Sequence, residues 1–344
     1  MSGGLSTVFD HLDRQHLATL PTPLERGPQL DGGARLWIKR DDLTGLGGGG
    51  NKVRKLEFLC GAARAAGAGA LVTVGAAQSN HCRMTAAAGA VLGLEVHLIV
   101  SGERPETPTG NQLLSALFGA HLHYTGLDDT HWGALEIARE ELVEQLRADG
   151  VAPYSIGIGG SSAVGAVGYA VAYGELIDDC LRLGIEPTAI VHTSSSGGTH
   201  AGLLAGQALH RAAVNESSGL ASKVPVPAVI AIGVAKGVIA MAPDPGLLAD
   251  EVLDLVGESS VRVDPADVII DPDWIGPDYA VPTPAGDAAI LWAARHGGWL
   301  MDRTYSGKGL SAVLGRTWPA EAQIIFIHTG GTPALFAPDG TPLP

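Results

Sequence analysis

Short β-branched runs alternate with Ala/Leu-rich stretches along most of this chain, and that rhythm restricts the fold more than any other feature. "ALVTVG" (70–75), "EVHLIV" (95–100), "AHLHYTG" (120–126), "AIVHTS" (189–194), "AVIAIGV" (228–234) and "QIIFIHTGG" (323–331) read as strands. Between them, "MTAAAGAVLG" (84–93), "TGNQLLSALFGA" (109–120), "THWGALEIAREELVEQLRADG" (130–150), "GAVGYAVAYGELIDDCLRLG" (165–184), "HAGLLAGQALHRAA" (200–213) and "AGDAAILWAARHG" (285–297) read as helices. Strands separated by helices predict parallel sheets with helices on both faces. The pattern runs twice, so the expected class is α/β, with two open, twisted, mostly parallel sheets. A boundary falls near 165–170, where "GIGGSSAVGAVGY" (157–169) packs small residues ahead of a helix. The polar stretch 212–227 reads as an excursion, not a linker.

The bulk numbers agree with that class. The chain has 344 residues, 46% of them hydrophobic and only 17% charged, with 48 glycines for tight turns. Its 22 basic and 36 acidic residues leave a net charge of −14, which argues against a nucleic-acid surface. Cys60, Cys82 and Cys180 are odd in number and widely spaced, so neither a disulfide framework nor a zinc site is expected. The N-terminus lacks a signal-peptide apolar region, and no apolar run reaches the roughly 18 residues of a membrane span. A soluble, cytoplasmic protein is the plain expectation.

Chemistry is suggested first by "GLGGGGNKVRKLEF" (45–58). Glycines admit close backbone approach, and a helix start favours anions. The nucleotide phosphate loop fits poorly, because Asn51 separates Gly50 from Lys52 and Val53 follows. A loose surface loop is the bland alternative. In open α/β sheets ligands bind beyond the carboxyl ends of strands, and three segments fall there. "VGAAQSNHCR" (74–83) carries Gln78, Ser79, Asn80 and His81 into a helix start, although capping alone would explain it. "HTSSSGGTHAG" (192–202) offers Ser194, Ser195, Ser196, Gly197, Gly198 and Thr199 as an anion cup, or as an ordinary Ser/Gly turn. "HTGGTPALF" (328–336) follows the last strand. A lysine beside tight backbone, a remote anion cup and an asparagine near a helix start together describe a site for pyridoxal 5'-phosphate. From the residues alone, either Lys52 or Lys55 could be the reactive amine.

"WIKRDDLTGLGGGGNKVRKLEF" with "GAAQSNHCRMTAAAGAVLGL" resembles the D-cysteine desulfhydrase and 1-aminocyclopropane-1-carboxylate (ACC) deaminase family, a branch of the fold-type II pyridoxal phosphate enzymes. The resemblance runs from "LPTPLER" (20–26) to "HTGGTPALF". It implies a large cofactor-anchoring domain from 1–55 and 170–344, a small α/β domain at 56–169, and a homodimer. Lys52 is implied as the Schiff-base lysine, with Lys55 structural or electrostatic. Asn80 would bond the cofactor's phenolic oxygen, Ser79 would serve as substrate or proton-relay hydroxyl, and Gln78 would line the carboxylate site beside His81. Ser194 to Thr199 would hold the phosphate. Ser195 stands where the family commonly has glycine, and Gly157 where it often has proline.

Tyr279 in "DYAVPTPAG" and Tyr305 in "DRTYSGKG" match the family's two substrate-facing tyrosines. Their bland readings are a turn residue and a half-buried core residue. The family's ACC deaminases place glutamate and leucine where this chain has Ser306 and Thr329. A carboxylate near the pyridine nitrogen deepens the electron sink, and a hydroxyl does so less. Ring opening needs the deeper sink; expelling a β-thiolate does not. The resemblance therefore implies α,β-elimination on a small amino acid, D-cysteine first. L-cysteate sulfo-lyase is the alternative, with Arg83, His81 or His200 as extra donors. ACC deaminase and a non-catalytic pyridoxal phosphate or nucleotide-binding protein follow.

Overall fold

Regular structure opens with an antiparallel hairpin, β1 (Leu24–Gln29) and β2 (Arg35–Lys39). Strict alternation follows: α1 (Lys52–Ala65), β3 (Ala70–Gly75), α2 (Asn80–Leu92), β4 (Glu95–Val100), α3 (Gly110–Leu117), β5 (His121–Tyr124), α4 (Trp132–Ala148) and β6 (Pro153–Ile156). The second half carries α5 (Ala163–Leu183), β7 (Ala189–Ser194), α6 (Gly198–Asn215), β8 (Ala228–Gly233), α7 (Pro245–Leu255), β9 (Ile269–Asp271), α8 (Pro284–Gly297), α9 (Ser306–Gly315) and β10 (Gln323–Ile327). This computed structural model describes residues 5–128, 131–217, 219–235 and 243–337. Thr130, where the sequence places the start of the long helix, and Ser218 in the polar excursion lie outside the described residues.

Two sheets form. The smaller has the order β5-β4-β3-β6 and is parallel throughout. The larger has the order β1-β2-β10-β7-β8-β9 and is parallel except at β1. Every residue of β3 and β7 is buried, as expected of parallel strands covered on both faces. One face of the large sheet packs on α5, α6 and α7 through Tyr173, Leu204 and Val252. Its other face packs on α8 and α9 through Ile290, Leu310 and Phe326. The small sheet is covered by α1 and α2 through Leu56 and Met84, and by α4 through Val143. No helix among the described residues is long and apolar enough to cross a membrane, and the three cysteines are free and buried.

Several elements escape the sequence pattern for identifiable reasons. The β1 segment "LERGPQ" contains Gly27 and Pro28, which a central strand would reject but an edge tolerates. The α9 segment "SGKGLSAVLG" carries three glycines and scores poorly as helix. Packing overrides propensity there, because α9 is pressed against the sheet beside Thr193 and Phe326. The α7 start does carry a local signal: Asp244 accepts from the Gly246 and Leu247 N–H groups, with Pro245 at the first turn. The apolar run 323–331 yields strand only to Ile327; Gly330 and Gly331 then turn the chain at φ 95° and 103°.

A buried ionic cluster pins α1 to its neighbours. Arg54 on α1 is 1% exposed and pairs with Asp41 at 2.8 Å and with Glu175 of α5 at 3.0 Å. Lys39 of β2 reaches Glu175 at 2.6 Å and Asp179 at 2.7 Å. Asp41 also accepts from Tyr169 and Thr22. Each buried charge thus has an opposite partner and added hydrogen bonds, the condition under which such groups are tolerated inside a protein.

Candidate active site

The glycine run is a packed turn. Gly47, Gly48, Gly49 and Gly50 all have positive φ, from 56° to 130°. A Cβ on Gly49 would lie 1.8 Å from the Asp42 carbonyl oxygen, so only glycine fits that approach. Buried Arg83 donates to the carbonyls of Gly47 and Gly49, tying the run to α2. The turn is therefore neither a phosphate loop nor a loose surface loop. Its product is the placement of Asn51 and Lys52. The Asn51 N–H donates to the Thr329 carbonyl at 2.9 Å, and its side-chain amide donates to Thr199 Oγ1 at 3.1 Å.

Lys52, the first residue of α1, opens into a cavity between the two sheets. Burial alone pushes its amine down to about 8, which leaves a reactive neutral fraction near neutrality. Lys55, one turn on, points away. Its Nζ donates to the Gly159 carbonyl at 3.1 Å and lies 3.4 Å from Ser161 Oγ. Burial, with Lys52 nearby, holds it well below the ordinary lysine value.

The same cavity is faced by Ser79, Asn80 and His81 from the start of α2. Ser79 is indeed the N-cap, its Oγ accepting from the Cys82 N–H at 3.2 Å. Accepting leaves its own proton available, so capping and chemistry coexist. Asn80 Oδ1 accepts from Asn111 at 2.9 Å, which turns the amide NH2 away from that contact as a donor. His81 Nε2 contacts Thr73 Oγ1 at 2.8 Å, and Thr73 donates to the Ile156 carbonyl. With that hydroxyl proton committed, His81 Nε2 is the donor and its buried Nδ1 is a bare acceptor without a protein partner. Burial, with Lys52 and Lys55 nearby, keeps the ring neutral.

Ser194, Ser195, Ser196, Gly197 and Thr199 form the opposite wall. The turn leads into α6 with Gly197 at φ 79°, a residue that brings no side-chain cap of its own. The first N–H groups of an 18-residue helix have no partner within the helix, and after Gly198 the helix presents Thr199 to the cavity. Tyr279, Tyr305 and Thr329 complete the predicted set. The two phenol oxygens are 2.5 Å apart.

Three predicted positions are not on the wall. Gln78 Oε1 accepts from the Asn111 N–H at 2.8 Å and its amide donates to the Thr109 carbonyl, so it braces α3 and does not line a carboxylate site. Gly198 faces away, its N–H shared between the Ser196 carbonyl at 3.0 Å and Ser161 Oγ at 3.2 Å. Ser306 is fully buried, bonding Asp302 Oδ1 at 2.7 Å and lying 3.2 Å from the Gly330 carbonyl. Two of the extra anion donors considered from sequence are also committed. Arg83 holds the glycine turn, and His200 Nδ1 meets His192 Nε2 at 3.1 Å.

Other residues on the cavity carried no local signal. Trp132, the first residue of α4, is 4% exposed and stands edge-on to Tyr279 with ring centroids 5.5 Å apart. Gly159 and Ile158 come from the loop after β6. No Asp or Glu lines the cavity among the described residues, and none of the described His, Cys, Asp and Glu groups could hold a metal.

Comparison with known proteins agrees with this geometry. A family described as pyridoxal-phosphate dependent enzyme matches residues 16–330. The chain is 36% identical over 335 residues to a D-cysteine desulfhydrase of Klebsiella pneumoniae (strain 342), covering 94% of this chain and 95% of that one. It is 35% identical over 342 residues to a D-cysteine desulfhydrase of Serratia proteamaculans (strain 568), covering 96% of each. A crystal structure of an ACC deaminase homologue superposes with TM-score 0.82 at 32% identity, covering 98% of this chain and 97% of that one.

Proposed function

Because the chain belongs to the family of pyridoxal-phosphate dependent enzymes, we propose that it catalyses α,β-elimination of hydrogen sulfide from D-cysteine, with the resulting enamine hydrolysed by water to pyruvate and ammonia. The residues present fit the cofactor. A desolvated amine, a Ser/Gly turn at a helix start and an oriented amide surround one cavity. Lys52 would hold the aldehyde carbon, the turn at Ser194–Gly197 with Thr199 the phosphate, and the Asn80 amide the phenolic oxygen. When bound, the cofactor supplies an electron sink for the substrate's α-carbon.

The protein's own groups supply the rest. The amine of Lys52, neutral in part because it is desolvated, takes the α-proton. The Ser79 hydroxyl, its lone pair on the Cys82 N–H, donates to the substrate. The phenols of Tyr279 and Tyr305 share one hydrogen bond and hold or pass a proton beside the departing sulfur. The edge of Trp132 keeps Tyr279 in that contact and helps exclude water.

One observation carries the choice of reaction: the cavity wall holds no carboxylate among its described residues, and Thr329 is a hydroxyl. A site without an acid to keep the pyridine nitrogen protonated suits expulsion of a thiolate better than ring opening. Among the described residues, the groups weighed as sulfonate donors favour a thiol substrate: both terminal nitrogens of Arg83 hold the glycine turn, His200 Nδ1 is bonded to His192, and His81 presents a lone pair. The desulfhydrase relatives support the same choice. The reading carries with it a cytoplasmic homodimer and the domain division 1–55 with 170–344 against 56–169.

A panel of D-cysteine, L-cysteine, L-cysteate, β-chloro-D-alanine and ACC, scored for keto-acid release, tests it. D-cysteine should exceed ACC and L-cysteate by about 10²-fold in kcat/KM. Turnover of ACC with D-cysteine silent would overturn the assignment. Bound cofactor with no product from any of the five would mark a binding protein.

A second expectation concerns Gly159. A Cβ there would lie 2.2 Å from Ser196 Oγ and 3.7 Å from Lys52 Nζ, at a φ of +63°. Gly159→Ala should weaken cofactor retention at least about tenfold, from left-handed strain and displacement of Ser196. Titration of the apoprotein with pyridoxal phosphate measures it; wild-type affinity would show that the loop yields freely.

A further inference from the structure

Ser161 sits behind the anion turn, outside the cavity wall, at the end of the loop after β6. Its Oγ lies where three groups converge. The Gly198 N–H, shared with the Ser196 carbonyl at 3.0 Å, donates to it at 3.2 Å, and Lys55 Nζ approaches at 3.4 Å. Its own contact runs to Ser196 Oγ at 2.8 Å. The loop and the helix start meet so closely that a Cβ on Gly198 would lie 2.7 Å from both Ser161 Oγ and Lys55 Nζ.

A hydroxyl has two lone pairs and one proton. Gly198 and Lys55 occupy the lone pairs of Ser161, so its proton goes to Ser196 Oγ. Ser196 is thereby an acceptor on its loop side, and its own proton must be directed elsewhere. Ser196 is 5% exposed and lines the cavity, and its hydroxyl has no acceptor among the described residues. We infer that Ser161 is a positioning residue that fixes Ser196 as a hydrogen-bond donor toward an anion in the cavity. The inference rests on the reading that the 194–199 turn takes the cofactor phosphate. Ser161 touches neither cofactor nor substrate; its effect passes entirely through the Ser196 proton.

The test titrates apoprotein with pyridoxal phosphate and with pyridoxal, which lacks the phosphate, and reads the bound chromophore. Wild type, Ser161→Ala, Ser196→Ala and the double variant are compared. Ser161→Ala should weaken pyridoxal phosphate about tenfold, the scale of one hydrogen bond to a charged group, and leave pyridoxal unchanged. The double variant should bind about as weakly as Ser196→Ala alone; independent contributions would give about a hundredfold loss. Weakening by Ser196→Ala with none by Ser161→Ala would overturn the inference and leave the phosphate turn standing. Equal weakening of both ligands by Ser161→Ala would show loop collapse, and would overturn it too. Full affinity in Ser196→Ala would remove the phosphate from this turn, and the inference with it.

Discussion

Lys52→Ala is expected to abolish covalent capture of pyridoxal phosphate and to lower turnover by about 10³-fold or more, the scale of losing a positioned base together with the group that holds the cofactor. The argument is local. Lys52 is the lysine whose amine opens into the cavity, while Lys55 is bonded to the Gly159 carbonyl on the far side of the same loop. Burial without a neighbouring carboxylate lowers the Lys52 amine to about 8, so the neutral form needed for attack is accessible at working pH. Borohydride reduction followed by peptide mass analysis should place the cofactor on Lys52 in wild type and on no residue in the variant. Lys55→Ala should still show the Lys52 adduct. An adduct that survives Lys52→Ala would end this assignment.

The second large effect is on stability. Asp41→Asn should destabilise the fold by about 3 kcal/mol, the lower end of the cost of breaking a buried ion pair, because Arg54 loses its more buried carboxylate and keeps only Glu175. Arg54 is the charge left behind: its Nε and Nη2 reach Asp41 at 2.9 and 2.8 Å, and both side chains are 1% exposed. Burial pushes the Asp41 carboxyl up, but the adjacent Arg54 guanidinium, with Lys39 and the Tyr169 hydroxyl, outweighs it and holds the group below the usual aspartate value. Glu175 is likewise held down, chiefly by Arg54 against the upward push of burial. A carboxylate whose folded value lies below its unfolded value stabilises the protein above the unfolded value, about 4. That contribution is lost as pH falls through the lower, folded value. Wild type should therefore lose stability steeply below about pH 4, and Asp41→Asn should begin less stable and show a shallower acid limb. Denaturant unfolding across pH 3–7 measures both; an unchanged midpoint at pH 7 would show that Glu175 alone satisfies Arg54. Because Arg54 lies two residues beyond Lys52 on α1, loosened packing there should also appear as weaker cofactor retention.

The sequence by itself determined the class of the fold and most of the cavity. Hydrophobic period and length are local quantities, so β3, β7 and β10 with their following turns could be placed at the carboxyl ends of parallel strands, where cavities form. The same local logic offered Ser79 and Asn80, while the family resemblance chose Lys52 over Lys55 and supplied Tyr305 and the role of Thr329; all five face one cavity. Tertiary structure alone decided the remainder. Whether Gln78 and Ser306 line that cavity depends on where Asn111 and Asp302 lie, more than thirty residues away for the first and across a turn for the second. The proton of His81 depends on Thr73 and the Ile156 carbonyl, and the proton of Ser196 depends on Ser161. Trp132 reaches the site only because α4 begins beside Tyr279. Backbone periodicity is written in neighbouring residues, but the direction of a hydrogen bond is set by whichever distant group the fold brings within 3 Å.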